Sequence, residues 1–174
     1  PGLYLWGGVG RGKTFLMDLF FEALPPGVGE RMHFYRFMRG VHEALKAEAG
    51  KANPLEHIAE QWAKRIRVIC FDEFFVSDIT DAMLLGELFA ALFARGVTLV
   101  TTSNVPPSGL YKDGLQRRRF LPAIALLEAH TEVYELQSAA DYRLRALSQA
   151  ALYHTPLGTE AEAALRDQGV MGPI

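Results

Sequence analysis

Gly7-Gly8-Val9-Gly10-Arg11-Gly12-Lys13-Thr14 follows the pattern G-x-x-x-x-G-K-[ST], and its reading decides the fold. Phosphate oxygens need many donors within a small arc. Glycines let the backbone curl so that successive N–H groups point inward. A helix starting near Lys13 adds the partial positive charge of its N-terminus. Lys13 is then set to reach the β and γ phosphates of a nucleotide, and Thr14 to offer a hydroxyl to Mg²⁺. The pattern carries meaning only between a strand and a helix, and both are expected here. Residues 3–6 form a short apolar run that ends in glycines. Leu16, Leu19, Phe20 and Ala23 recur at helical spacing, and Pro25-Pro26-Gly27 stops them.

Outward from the loop, strands alternate with helices. A second strand is expected over residues 32–35, with a helix over 38–49 ending at Gly50. Pro54 opens a helix running to about Lys64, and residues 68–71 read as a third strand. Ser77 or Asp78 is placed to cap a helix whose face is Leu85, Leu88, Phe89 and Leu92, ending at Arg95-Gly96. The β-branched run 97–102 reads as a fourth strand, residues 120–129 as a helix and 132–136 as a fifth strand. Strands separated by helices of about ten residues or more imply parallel pairing through helical crossovers, an α/β fold of three layers.

The 174 residues suit one domain, and 49% hydrophobic with 22% charged residues is ordinary globular composition. The longest strongly apolar stretch, 82–94, is broken by Glu87. It falls short of the ~18–20 apolar residues of a membrane span. A net charge of −2 argues against bulk attraction to nucleic acid or anionic lipid. A lone cysteine, Cys70, excludes an internal disulfide or a Cys-based zinc cage, and fits a reducing compartment. The chain starts at Pro1, two residues before the expected strand at Leu3, and is expected to be a piece of a longer protein.

The expected third strand ends in Asp72 and Glu73. Ligands of open α/β sheets gather at the carboxyl ends of the strands. Asp72 can there hold Mg²⁺, directly or through water. Glu73 beside it can orient or deprotonate a water. The fourth strand ends in Ser103-Asn104, where Asn104 either bridges the attacking water and the γ-phosphate or forms a turn before Pro106-Pro107. Lys112, Arg117, Arg118 and Arg119 cluster before Phe120-Leu121-Pro122. They read as a nucleic-acid contact, a solvated face or a charge-stabilising arginine. Residues 32–39 mix aromatics with Arg36 and Arg39, just after Arg31. Stacking on single strands is one reading, and strand-to-helix packing the safer one. Cys70, His33, His130 and His154 read as structural. His42-Glu43 is followed by Lys46 where a zinc-protease helix needs its second histidine, and there is no G-x-S-x-G elbow.

Together these residues resemble a known family. Residues 2–20, 33–42, 71–85 and 93–124 look like the ZapE/Afg-type ATPases, P-loop proteins of the AAA+ superfamily. The stretches CFDEFFVSDITDAMLLG (70–86) and GLQRRRFLPAI (114–124) are more specific than the phosphate loop alone. The likeness runs through Asp141-Tyr142-Arg143 to about Arg166, with the bacterial division members the closer match. The resemblance implies a five-stranded parallel sheet of order 5-1-4-3-2. It implies an ATPase core over residues 1–140, and the start of a C-terminal helical part or tail over 141–174.

The resemblance also implies roles. Gly7, Gly8, Val9, Gly10, Arg11, Gly12, Lys13 and Thr14 hold ATP, Thr14 and Asp72 hold Mg²⁺, Glu73 is the catalytic acid and Asn104 the sensor. Arg119, ahead of Arg117, is the arginine finger serving a neighbouring subunit of a homo-oligomer. The implied activity is Mg²⁺-dependent ATP hydrolysis coupled to remodelling a protein partner, the division-ring protein FtsZ. The alternatives are a helicase-loader-like ATP switch on DNA and a P-loop kinase; Glu73 beside Asp72 argues for water activation over the latter. A signalling GTPase is weaker, since no N-K-x-D motif occurs. The implied location is the bacterial cytoplasm at the division site, or the mitochondrion in the family's other branch, with any membrane association peripheral.

Overall fold

β1 (Gly2–Trp6) ends where the glycine loop begins, and α1 (Lys13–Ala23) starts where it closes. The computed structural model describes residues 1–10 and 12–137 of the chain. Arg11, His154 and the expected C-terminal part over 141–174 lie outside the described residues. After α1 come β2 (Gly29–His33), α2 (Phe34–Ala47), α3 (Pro54–Arg65) and β3 (Val68–Asp72). Then follow α4 (Ile79–Ala94), β4 (Thr98–Ser103), two 3₁₀ turns (Pro107–Gly109 and Arg117–Arg119), α5 (Leu121–His130) and β5 (Thr131–Glu135).

The described strands form one parallel sheet of order β2-β3-β4-β1-β5, as expected. This order fixes which face each helix covers. The β1→β2 connection runs along the sheet in one direction and every later connection runs in the other. With right-handed crossovers, α1 lies on one face and α2 to α5 on the opposite one. The packing agrees. Met17 of α1 is buried with Cys70 and Val100, whereas residues of α2 to α5 share the large core with Tyr4, Ile69, Phe71 and Leu99.

That asymmetry corrects the reading of α1. Leu16, Leu19 and Ala23 are exposed, while Met17 is buried and Phe20 and Phe21 pack beside it. One helix alone on its face touches the strands along a narrow stripe, so the stripe 17, 20, 21 faces the sheet and its apolar neighbours do not. The second strand also shifts. It covers Gly29–His33, and Phe34 already starts α2. β2 is an edge strand with every position partly buried or exposed, so it lacks the apolar alternation that marks a strand in sequence. Phe34 is drawn inward instead, its ring 4.5 Å from that of Phe74 and 5.4 Å from that of Phe71. The helix after β3 is capped as expected, Asp78 accepting from the Asp81 N–H at 3.1 Å. Cys70 lies in this packing, and burial pushes its thiol up to about 12, which suits an inert core residue.

Candidate functional site

The carboxyl ends of β1, β3 and β4 meet at a cleft of about 590 Å³. Its lining brings together Val9, Gly10, Gly12, Lys13 and Thr14 from the loop, Asp72 and Glu73 from the end of β3, and Asn104 from the end of β4. Residues as far apart in sequence as Val9 and Asn104 thus converge because parallel strands end on one edge. Arg119 is not among the described residues that line it.

The loop is built by left-handed backbone at Gly10 (φ 77°) and Gly12 (φ 84°), which a residue with a Cβ resists. Gly12 caps α1 without a side chain, leaving the first N–H groups of the helix directed at the cleft. The Gly7 N–H donates to the Ser103 carbonyl at 3.1 Å and ties the loop to the end of β4. Lys13 folds over the loop, its Nζ donating to the carbonyls of Gly7 (2.6 Å) and Gly8 (2.8 Å). Gly8 and Thr14 are exposed. The Thr14 hydroxyl and the Asp72 carboxylate are hard oxygen donors, the ligand chemistry that Mg²⁺ takes. Both line the cleft, so this donor set fits the ion.

Glu73 holds a left-handed backbone (φ 54°), uncommon for a residue other than glycine and concentrated at functional sites. Three polar residues of β4 pin this turn. Thr102 Oγ1 accepts from the Glu73 N–H at 3.2 Å and the Thr102 carbonyl accepts from the Phe74 N–H at 2.8 Å. Ser103 Oγ donates to the Phe74 carbonyl at 2.7 Å, and Thr101 Oγ1 to the Phe71 carbonyl at 3.1 Å. All three hydroxyl residues are buried. The Glu73 carboxylate itself is 82% exposed and projects into the cleft, 3.8 Å from His33 Nδ1. Replacing Thr102 with Val keeps the shape and removes the acceptor. We expect a loss of about 1 kcal/mol in thermal unfolding.

Sequence reading missed four residues here. Thr102 and Ser103 were visible only as the end of a β-branched strand; nothing local marks a hydroxyl as a clamp on the next strand. His33, read as structural, instead lines the cleft facing Glu73. Arg31 lines the cleft too, and its Nε and Nη2 form a fork on Asp72 Oδ2 (2.7 Å) and Oδ1 (3.1 Å). His130 is structural as expected, stacked on Phe93 with centroids 4.4 Å apart.

The basic cluster divides. Arg117 is partly buried, with Nη2 donating to the carbonyls of Ser108 (2.7 Å) and Leu110 (3.4 Å), which clips the turn at 107–109. Lys112, Arg118 and Arg119 are exposed, and among the described residues the Arg119 guanidinium donates to Gln116 Oε1 at 3.2 Å. In residues 32–39, Phe34, Phe37 and Met38 are buried as the packing reading has it, while Tyr35, Arg36 and Arg39 face out.

Among solved structures, the fold is similar to domain III of the replication initiator DnaA of Thermotoga maritima. The TM-score is 0.57 at 19% identity, over 94% of this chain and 67% of that one. The DnaC helicase loader is similar at TM-score 0.54 and 16% identity, over 78% of each chain. Closer in sequence is the cell division protein ZapE of Escherichia coli strain K12, 59% identical over 162 residues, 93% of this chain and 43% of that protein. The lactation elevated protein 1 homolog B of Danio rerio is 41% identical over 94% of this chain and 35% of its own length. The chain thus spans less than half the length of these curated relatives. The family model for AFG1-like ATPases matches residues 1–168, and with that match and this site the chain belongs to the AFG1-like ATPase family.

Proposed function

We propose that this chain is the nucleotide-hydrolysing core of a Mg²⁺-dependent AAA+ ATPase that couples hydrolysis to remodelling a protein partner. The observation that carries the reading is the single cleft in which the phosphate loop, Asp72, Glu73 and Asn104 converge. The backbone N–H groups of residues 7–14 and the Lys13 ammonium bind the phosphates. Thr14 and Asp72 would hold Mg²⁺, and the ion would supply neutralisation of phosphate charge there. Glu73 takes the proton of a water as its oxygen attacks the γ-phosphorus; the bond to the β-phosphate oxygen breaks, leaving ADP and phosphate. Asn104 orients that water, and Arg119 of a neighbouring subunit stabilises the oxygen charge from outside. Glu73 beside Asp72 at the end of β3 favours water activation over a kinase, which must keep water out.

The 59% identity to a cell division protein supports a division-ring partner, and the tubulin-like FtsZ is the one we propose. The protein acts as a homo-oligomer at the bacterial division site. Among the described residues no helix is long and apolar enough to cross a membrane. Lys13→Ala tests the core of the reading. Lys13 is the side-chain cation that the motif aims at the phosphates, so affinity for a fluorescent ATP analogue should fall by about tenfold or more. Unchanged affinity would overturn the phosphate-loop assignment. Phosphate release from the full-length protein, with and without FtsZ, tests the partner.

A loader-like switch acting on DNA is the second reading, favoured by Tyr35, Arg36 and Arg39 standing exposed on α2. A single-stranded DNA titration with and without ATP separates the two.

A further inference from the structure

Arg31 has no part in the hydrolysis scheme above, yet its guanidinium makes three hydrogen bonds to carboxylates at the cleft. Its fork on Asp72 occupies one position on each carboxylate oxygen, and its Nη1 donates to Asp18 Oδ1 of α1 at 2.5 Å. The Arg31 and Asp72 side chains are 22% and 16% exposed, so water screens the pair poorly.

The arrangement places a fixed cation on the very acid read as the metal-side residue. Without that cation, Asp18 and Asp72 would face one another across a guanidinium-sized gap with hard oxygen donors, an environment that attracts a divalent ion whether or not nucleotide is present. With it, an incoming ion meets like charge at an acid already neutralised. We propose that Arg31 is a stand-in cation that holds Asp72 in the nucleotide-free protein and makes Mg²⁺ binding conditional on the triphosphate. The phosphates reverse the balance by bringing several negative charges. Asp72 then turns its remaining lone pairs to the metal or its water, and Asp18 keeps hold of Arg31. The inference rests on Asp72 being the metal-side acid.

The test is a Mn²⁺ titration of the nucleotide-free protein, followed by loss of the free-ion electron paramagnetic resonance signal. Arg31→Met should bind Mn²⁺ about tenfold more tightly than wild type, the order of effect expected from removing a like charge at contact distance. Arg31→Lys keeps the charge and should stay near wild type, which a merely structural role would not give. Adding Asp72→Asn to Arg31→Met should abolish the gain. No gain in Arg31→Met, or a gain that survives Asp72→Asn, overturns the proposal. Asp18→Asn lies on the half-exposed partner and tests it without disturbing the fork. It removes the negative charge that shares Arg31 while leaving an amide oxygen to accept from it, so the Mg²⁺ concentration that half-saturates the gain in ATP-analogue affinity should rise severalfold; an unchanged concentration counts against it. Asp72→Asn alone separates the two layers. If it leaves that Mg²⁺ dependence unchanged, the metal-side reading of Asp72 fails. If it shifts the dependence while Arg31→Met gains nothing, only the stand-in role fails.

Discussion

Glu73→Gln should bind ATP as tightly as wild type and hydrolyse it about 10²–10⁴-fold more slowly, the usual contribution of a general base. The amide keeps the size of the side chain and cannot accept the water's proton. Among the described residues, the hydrogen bonds that hold the turn use its backbone and not the carboxylate. The left-handed turn at Glu73 is held by its own N–H on Thr102 Oγ1 and by Phe74 N–H and carbonyl on Thr102 and Ser103. The side chain is 82% exposed, with His33 at 3.8 Å as its neighbour. Folding and nucleotide affinity should therefore survive, and the loss should fall on kcat. Single-turnover phosphate release beside equilibrium binding of a labelled analogue measures both. A variant that bound normally and turned over near the wild-type rate would make Glu73 a surface acid and leave the water without a base.

Which parts of this site could be read from the sequence follows from how each is built. The glycine loop is contiguous and its pattern needs glycine at set positions, so the strand before it and the helix after it were legible. Asp72 and Glu73 were legible because an apolar strand ending in two acids has a meaning at a sheet edge. The sheet order came from the family likeness rather than from periodicity, since alternation alone does not say which strands are neighbours. Arg31, Asp18 and Asp72 were invisible as a group. They lie on β2, α1 and β3, and meet only because β2 pairs with β3 and α1 crosses the face beside them. The clamp formed by Thr101, Thr102 and Ser103 was hidden for the same reason. Its partners are backbone groups of another strand, thirty residues away, that carry no sequence signature. The edge strand β2 was misplaced because its Glu-Arg-Met-His run is neither apolar nor alternating, so its extended backbone is owed to pairing with β3.

Arg119→Ala should bind ATP normally and hydrolyse it about 10³–10⁵-fold more slowly, the range an arginine finger contributes, or about 4–7 kcal/mol of barrier. As the γ-phosphoryl group leaves, charge spreads over its oxygens, and a guanidinium can match two of them at once. The phosphate loop already holds the near side, so a second cation must approach from outside. Arg117 is poorly suited, because its guanidinium clips the carbonyls of Ser108 and Leu110 and its Nε is buried, with no hydrogen-bond partner among the described residues. Arg119 is exposed, and the next residue, Phe120, is fully buried with its ring 5.6 Å from that of Tyr111. An anchored backbone carrying an exposed guanidinium suits a group that serves another molecule, and Arg119 does not line the cleft of its own chain among the described residues. Action in trans predicts complementation. Arg119→Ala and Glu73→Gln subunits, each nearly inactive alone, should regain part of the activity when co-assembled. Some interfaces then join an intact Glu73 to an intact Arg119. No recovery in verified mixed oligomers would rule out action in trans. If Arg117→Ala lost hydrolysis at unchanged thermal stability while Arg119→Ala kept it, the finger would pass to Arg117.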